Sequence, residues 1–287
     1  MTSARVGCEN NLALTSDGRV LAWGLGGDGE LGDGSNDSTA TPVEVPMPPG
    51  TKVTAVTVGN GFDLALTASG RVLSWGFNGS GQLGNGTKGG NVRSPAPVRL
   101  ARGVRVTAIA GGLNHVLAIT AGGDMLAWGD NGQGQLGNGF SGGFADVPVK
   151  VRLPRGAKVR GLFAGCLGSL ALTTAGQVLA WGSNFDGQLG TGKTGSFRDR
   201  PAPVRMPAGT KVTEISAGCA HNMARTAGGR VLTWGRNHEG ELGNGNSTAG
   251  NSSRPVRVKL PAGMIAVAIG AGPESTSGFA ILRPAPP

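Results

Sequence analysis

The run Val72-Leu-Ser-Trp-Gly-Phe-Asn-Gly-Ser-Gly-Gln-Leu-Gly-Asn-Gly86 decides the fold of this chain, because a version of it is written five times. Its tryptophan recurs as Trp23, Trp75, Trp128, Trp181 and Trp234, at spacings of 52, 53, 53 and 53 residues, each followed by glycine. The chain has no other tryptophan. Downstream of each stands the same punctuation: Gly29-Glu-Leu-Gly32, Gly81-Gln-Leu-Gly84, Gly134-Gln-Leu-Gly137, Gly187-Gln-Leu-Gly190 and Gly240-Glu-Leu-Gly243. A fixed period of this length means one supersecondary unit copied around a ring or along a solenoid.

Working outward through the second copy gives the unit. Val53 to Val58 is a short β-branched run and reads as strand A. Asp63-Leu-Ala-Leu-Thr67 reads as strand B, Val72-Leu-Ser-Trp75 as strand C, and Pro97-Val-Arg-Leu100 as strand D. A strand that begins with proline belongs at a sheet edge, so D is the expected outer strand. Glycines 18, 70, 123, 176 and 229 supply the B–C turns. Glycines 50, 103, 156, 209 and 263 supply the D–A turns, and the C–D segment varies in length as a surface loop does. No stretch carries a helical apolar period with caps, so the chain is all-β. Four short strands per repeat, with one buried Trp each, is the arithmetic of a β-propeller blade. A straight solenoid would use shorter repeats and end caps. The expected organisation is a single domain, 1–287, with blades at about 1–46, 53–100, 105–153, 158–206 and 211–260 and a partial sixth at 264–283.

These residues, with the Pro-Val, Lys/Arg-Val and Ala-Gly-x-x-His-x-x-Ala signatures that follow, resemble the repeat of the regulator of chromosome condensation family. The resemblance covers nearly the whole chain. It implies a propeller, typically of seven blades, whereas five full copies and strands A and B of a sixth are present here. Ring closure therefore stays open between a portion of a larger ring and a small ring sealed by terminal strands. The resemblance also implies regulators that act by binding, including guanine-nucleotide exchange on a small GTPase with a basic, chromatin-contacting face.

Composition narrows the remaining classes. With 54 glycines and 17 prolines the chain is turn-rich rather than disordered, since they fall at repeated positions. No apolar run approaches the roughly 18 residues of a membrane span, so no membrane partner is expected. Met1-Thr-Ser-Ala-Arg-Val6 is neither a basic n-region nor an apolar h-region. That favours the cytoplasm, while an export signal upstream would mean secretion. Cys8, Cys166 and Cys219 share one repeat position, and without a ligand cluster they read as small residues in a tight slot rather than as metal ligands.

The chemistry-bearing motifs are few. Gly79-Ser-Gly-Gln-Leu-Gly84 and Gly132-Gln-Gly-Gln-Leu-Gly137 match the dinucleotide fingerprint formally. A strand follows instead of the helix that would hold the pyrophosphate. Asp28-Gly-Glu-Leu-Gly-Asp33 lacks the ligand order of a calcium loop. No cofactor or metal is expected. Three histidines and no tyrosine give no nucleophile–base–acid set, so an enzyme is not expected. His115 and His221 stand where the family repeat has histidine, and Asn10, Phe62 and Gly168 occupy the same register. A ligand near the axis would meet Asn10, Phe62, His115 and His221 at the rim.

Charge is the other signal, at formally +9. In a four-stranded meander the B–C and D–A turns share one face. That face would carry Arg19, Lys52, Arg71, Arg102, Arg105, Arg155, Lys158, Lys211 and Arg230 against Asp17 and Asp124 alone. Most other acids fall among the A–B and C–D loops. Such a face suits an acidic partner or a nucleic acid, although no aromatics interleave with it. The leading expectation is a non-catalytic scaffold that binds another protein through its loop faces. The alternatives are a nucleotide-exchange regulator of a small GTPase and an inhibitor of a secreted enzyme.

Overall fold

The computed structural model describes residues 3–7, 9–246, 250–272 and 275–286. Among them are twenty-two strands and no helix. The first repeat comprises β1 (Ser3–Val6), β2 (Asn10–Leu14), β3 (Val20–Gly24) and β4 (Thr39–Glu44). The second comprises β5 (Val53–Val58), β6 (Phe62–Thr67), β7 (Val72–Gly76) and β8 (Val92–Pro97). The third is β9 (Val106–Gly111), β10 (His115–Thr120), β11 (Met125–Asp130) and β12 (Phe144–Lys150). The fourth is β13 (Val159–Ala164), β14 (Gly168–Thr173), β15 (Val178–Ser183) and β16 (Phe197–Pro203). The fifth is β17 (Val212–Ala217), β18 (His221–Thr226), β19 (Val231–Gly235) and β20 (Ser252–Arg257). A two-stranded sheet, β21 (Met264–Gly270) and β22 (Phe279–Pro284), follows. Every four-stranded sheet is an antiparallel meander in chain order, so the blade pattern holds from the first copy to the fifth.

Two compact units divide the chain. Residues 1–132 and 142–151 form the first, and residues 133–141 and 152–287 the second. In the first unit β1, β5 and β9 adjoin in succession, and in the second β13, β17 and β21 do so. Strand A is therefore the inner strand of each unit and strand D the outer. The D strand differs from the expectation. In the second repeat it runs Val92–Pro97, so Pro97 closes the strand rather than opening it. Val92 pairs with Gly76 and Pro97 with Leu73, which places the two prolines on the outer edge where no ladder donor is needed.

Two glycines per repeat explain why the motif is so strict. The first follows each Trp, where the C–D ladder shifts register. A Cβ at Gly24, Gly76, Gly129, Gly182 or Gly235 would lie 2.8–2.9 Å from the Cα of the first residue of strand B, and φ there is 96–114°. The second closes the Gly-x-Leu-Gly signature. A Cβ at Gly84 or Gly137 would meet Nε1 of Trp128 or Trp181 at 2.7 and 2.6 Å. The tryptophan thus lies flat against the loop of the preceding repeat. Trp75, Trp128, Trp181 and Trp234 are fully buried, and the signature leucines 31, 83, 136, 189 and 242 are buried beside them. Full burial of side chains this large stabilises the contact between repeats, at ~25 cal/mol per Å² of apolar surface removed from water.

Candidate functional site

Strand B of each repeat starts at the same register. Asn10, Phe62, His115, Gly168 and His221 are the first residues of β2, β6, β10, β14 and β18. The four expected rim residues therefore do share one structural position. Asn10, Phe62, His115 and His221 are also buried, at 1% exposure or less. They stand behind the surface rather than lining a rim.

Their neighbours carry the polar network that the sequence reading missed. The second residue of strand B lies opposite the Trp: Asp63 faces Trp75, Val116 faces Trp128, Ser169 faces Trp181 and Asn222 faces Trp234. Each indole Nε1 donates to the carbonyl of the signature Glu or Gln one repeat back. The distances are 2.9 Å to Glu30, 2.9 Å to Gln82, 2.8 Å to Gln135 and 2.9 Å to Gln188. In the second unit the facing residue supplies a second donor to that same carbonyl. Ser169 Oγ donates to Gln135 O at 2.8 Å, and Asn222 Nδ2 to Gln188 O at 2.5 Å.

In the second repeat this place is taken by an acid. Asp63 is fully buried, and burial pushes its carboxyl well above the usual range. The bond from Asn10 Nδ2 to Asp63 Oδ2, 2.6 Å long, works in the opposite direction, and nearby Glu30 adds to the rise. Glu30 is itself raised, chiefly by burial. The signature acids are thus not surface charges, as the loop tally assumed. Glu30 and Glu241 turn inward to accept the amides of Asp28 and Glu239, as Gln82, Gln135 and Gln188 do for Ser80, Gln133 and Asp186. One acceptor oxygen is all the loop requires, so Glu and Gln interchange.

Both histidines of the register are held neutral. Burial lowers His115 to about 3. Burial also lowers His221, against an opposing pull from Glu241. Burial would raise Glu241, but amide bonds from residues 241 and 239 and the charge of Arg236 bring it below the usual carboxylate value. Arg236 and Glu241 form an ion pair at 3.1 Å. Beside His221, with Cys219 and Trp181 in its wall, is a cavity of about 10 Å³. That is room for a water molecule at most.

The cysteines correct an expectation. Cys166 and Cys219 are joined by a disulfide, with Cα atoms 4.7 Å apart. They are not simply small residues in a slot. They occupy one register in adjacent repeats, so a separation of 53 residues places their A–B loops side by side. Cys8 lies outside the described residues.

The nine expected basic-face residues are all exposed. Within the first unit Arg19, Lys52, Arg71, Arg102 and Arg105 lie in B–C and D–A turns. Gly18 packs on Lys52 and Gly70 on Arg105, so neighbouring turns adjoin. Lys52 and Arg71 share the wall of a groove of about 320 Å³ with Thr67 and Ser69. Arg19 is partly neutralised by Asp17 at 2.8 Å and Glu44 at 3.4 Å. Within the second unit Arg155, Lys158, Lys211 and Arg230 occupy the corresponding turns.

Residues 1–279 match the RCC1-like domain. The chain belongs to the RCC1-like family. Its fold class is accordingly a β-propeller of four-stranded repeats. The RCC1-like chain is 32% identical to the ultraviolet-B receptor UVR8 of Arabidopsis thaliana over 84% of its own length and 54% of the relative's. It is 33% identical to the mitochondrial RCC1 domain-containing protein RUG3 of the same plant, over 97% of its length and 63% of RUG3. It is 34% identical to human E3 ubiquitin-protein ligase HERC2, covering 97% of the chain and 6% of that protein. The chain thus spans less than two thirds of each of these relatives. Among solved structures, human WBSCR16 superposes with a TM-score of 0.84 at 25% identity, over 98% of this chain and 71% of that one. Yeast RCC1 (Prp20), solved bound to Kap60, gives 0.82 at 24% identity, over 97% and 67%.

Proposed function

We propose that this RCC1-like chain is a non-catalytic module that binds another protein through the A–B and C–D loops of its repeats. The observation that carries the reading is where exposed apolar side chains fall. In the second unit, Phe140 (64% exposed), Phe185 (62%), Phe197 and Leu167 stand at the A–B and C–D loop ends of their strands, while Val267, Phe279 and Ile281 are exposed on the two-stranded sheet of β21 and β22. In the first unit Leu25 and Phe144 do the same. The B–C and D–A turns carry exposed cations without such aromatics, whereas on the loop side cations such as Lys88 and Arg152 lie over the aromatic rings. Exposed aromatics on loops held by a rigid sheet are the usual anchors of a protein interface. The buried histidines support the non-catalytic part: both are enclosed, with His221 against a cavity of about 10 Å³, and burial holds them neutral.

Relatives lend the same direction. Yeast RCC1 (Prp20) was solved bound to Kap60, and Prp20p was characterised for binding to Gsp1p and histones. The register of Asn10, Phe62, His115 and His221 then serves to hold the loops, and the basic turns serve an acidic partner.

The test is capture from the native source on the immobilised protein, washed at low and high salt, beside a Phe140→Ser/Phe185→Ser variant. The expected result is a dominant protein that survives high salt and is lost on the variant. An unchanged capture profile on the variant, or turnover with a stoichiometric cofactor, refutes the reading.

A further inference from the structure

Four arginines of the second unit meet in two matching pairs. Gly139 and Gly192 are equivalent loop residues, two beyond the Gly-x-Leu-Gly signatures of the third and fourth repeats, with φ of 84° and 81°. A Cβ at Gly139 would lie 3.0 Å from Arg200 Nε and 3.2 Å from Arg152 Cζ. A Cβ at Gly192 would lie 3.0 Å from Arg254 Nε and 3.5 Å from Arg205 Nη1. One member of each pair follows the repeat's own D strand, and the other comes from the D strand of the next repeat. The glycine makes the meeting possible, since any side chain there would push the guanidinium groups apart.

The two guanidinium groups of each pair therefore stand within roughly 6 Å of one another, close enough for one oxyanion to bridge both. All four arginines are exposed, and among the described residues none has a carboxylate within ion-pair distance. The partner they do have is aromatic: Arg152 lies over the Phe140 ring at 5.4 Å. Like charges held together without a counter-charge are the mark of an anion subsite, and planar forks suit a phosphoryl group better than point charges do.

We propose that Arg152–Arg200 and Arg205–Arg254 are two oxyanion forks that take phosphorylated side chains on a segment of a partner protein. Each fork offers two positive charges, which matches one phosphomonoester near neutral pH. A nucleic-acid backbone is the less fitting occupant, because the forks are discrete. At the equivalent positions Gly34 meets only Ser94, Gly86 meets Arg99 and Val147, and Gly245 meets Lys259, so a lone cation or none stands there and two guanidinium groups meet only at Gly139 and Gly192. A phosphodiester track asks for continuous cation, whereas a doubly phosphorylated segment asks for two stations. The inference rests on the protein-binding reading above but uses different residues. Loss of fork binding with Phe-dependent capture intact would overturn the forks alone, and the reverse would overturn the loop-face reading alone.

The test uses the full chain with selectively ¹⁵N-labelled arginine, observed at Nε at constant ionic strength. Titration with inorganic phosphate should move the Arg152, Arg200, Arg205 and Arg254 resonances saturably, where chloride at the same ionic strength does not. A Gly-Ser peptide carrying two phosphoserines should bind about tenfold more tightly than its unphosphorylated parent. Arg200→Lys keeps the charge and removes the fork, and should weaken binding about fivefold or more at the Gly139 pair while leaving the Gly192 pair unchanged. Unsaturable shifts, or a lysine variant that binds as well as arginine, would overturn the forks. Tighter binding of an oligothymidylate of equal charge would overturn the phosphoprotein assignment.

Discussion

The shared carbonyl of Gln135 makes a quantitative prediction about how the repeats are locked. Trp181 Nε1 and Ser169 Oγ both donate to it, each at 2.8 Å, and all three groups are buried. Trp181→Phe removes one donor and leaves the other in place. Ser169→Ala does the reverse. Each single change therefore loses one hydrogen bond, worth about 0.5–1.5 kcal/mol net, and Trp181→Phe adds a packing loss for the smaller ring. The double variant strips both of the donors, Trp181 Nε1 and Ser169 Oγ, from that buried carbonyl. That adds a desolvation penalty of about 1–3 kcal/mol that neither single variant incurs. The double-mutant cycle should accordingly be non-additive by about 1–2 kcal/mol, well beyond the ~0.3–0.5 kcal/mol scatter of independent sites. The assay is urea unfolding of the four proteins, followed by tryptophan fluorescence and far-ultraviolet circular dichroism together. An additive cycle would refute the shared-acceptor account. Trp128 gives an internal check. It faces Val116, and Nε1 of Trp128 is the donor recorded for Gln82 O, so Trp128→Phe should cost more than Trp181→Phe by a similar margin.

Asp63 occupies the position of those second donors, with its carboxyl raised. A raised folded-state value means the stabilising contribution is complete below the unfolded value near 3.9 and is lost as pH rises through the folded value. Asp63→Asn, which supplies an amide donor as Asn222 does, should therefore stabilise the first unit at pH 7 to 8 and leave it unchanged at pH 4; a loss at both would refute the neutral-acid reading. His115 works with the opposite sign. Its value of about 3 against the ordinary 6.5 means stability present above pH 6.5 and lost towards pH 3, with a slope up to about 1.4 kcal/mol per pH unit. Nuclear magnetic resonance should find its imidazole neutral down to about pH 4, and titration near 6.5 would show it solvated. The disulfide, across a separation of 53 residues, should stabilise by about 4 kcal/mol on chain-entropy grounds. Alkylation of the denatured protein should find one thiol before reduction and three after, and reduction should lower the urea midpoint of the second unit. Three thiols before reduction would refute the bridge.

The architecture was legible because a propeller repeat writes its constraints in residues that nothing else replaces. Trp-Gly is demanded by the close approach of Gly76 to Phe62 Cα, and Gly-x-Leu-Gly by the approach of Gly84 to the Trp128 ring. The D strands were misplaced because Pro97 was read as a start, when edge position lets a proline sit at either end. The site was less legible. Register alone identified Asn10, Phe62, His115 and His221 as equivalent, but burial depends on packing that a repeat alignment does not carry. Ser169 and Asn222 were invisible because their role follows from a cross-strand partner, the Trp, and a carbonyl one repeat away, and Asp63 because its partner is the Asn10 side chain one repeat back. The one signal that was available and passed over is the coincidence of Cys166 and Cys219. Equal register in adjacent repeats is itself a statement of proximity.

That last point extends to the whole chain. In a repeat protein a residue at a given register faces the same register one repeat on, so a substitution in one copy is read against its neighbour. The B strands build polar locks in which amide and hydroxyl are alternative second donors to a carbonyl one repeat back. The A–B loops use it to place two cysteines within bonding distance. The outer strands use it to bring an arginine from one repeat against an arginine from the next, with a glycine between them. Divergence at a register is consequently how a uniform scaffold acquires distinct sites, and the departures from the consensus, rather than the consensus itself, mark where function is written.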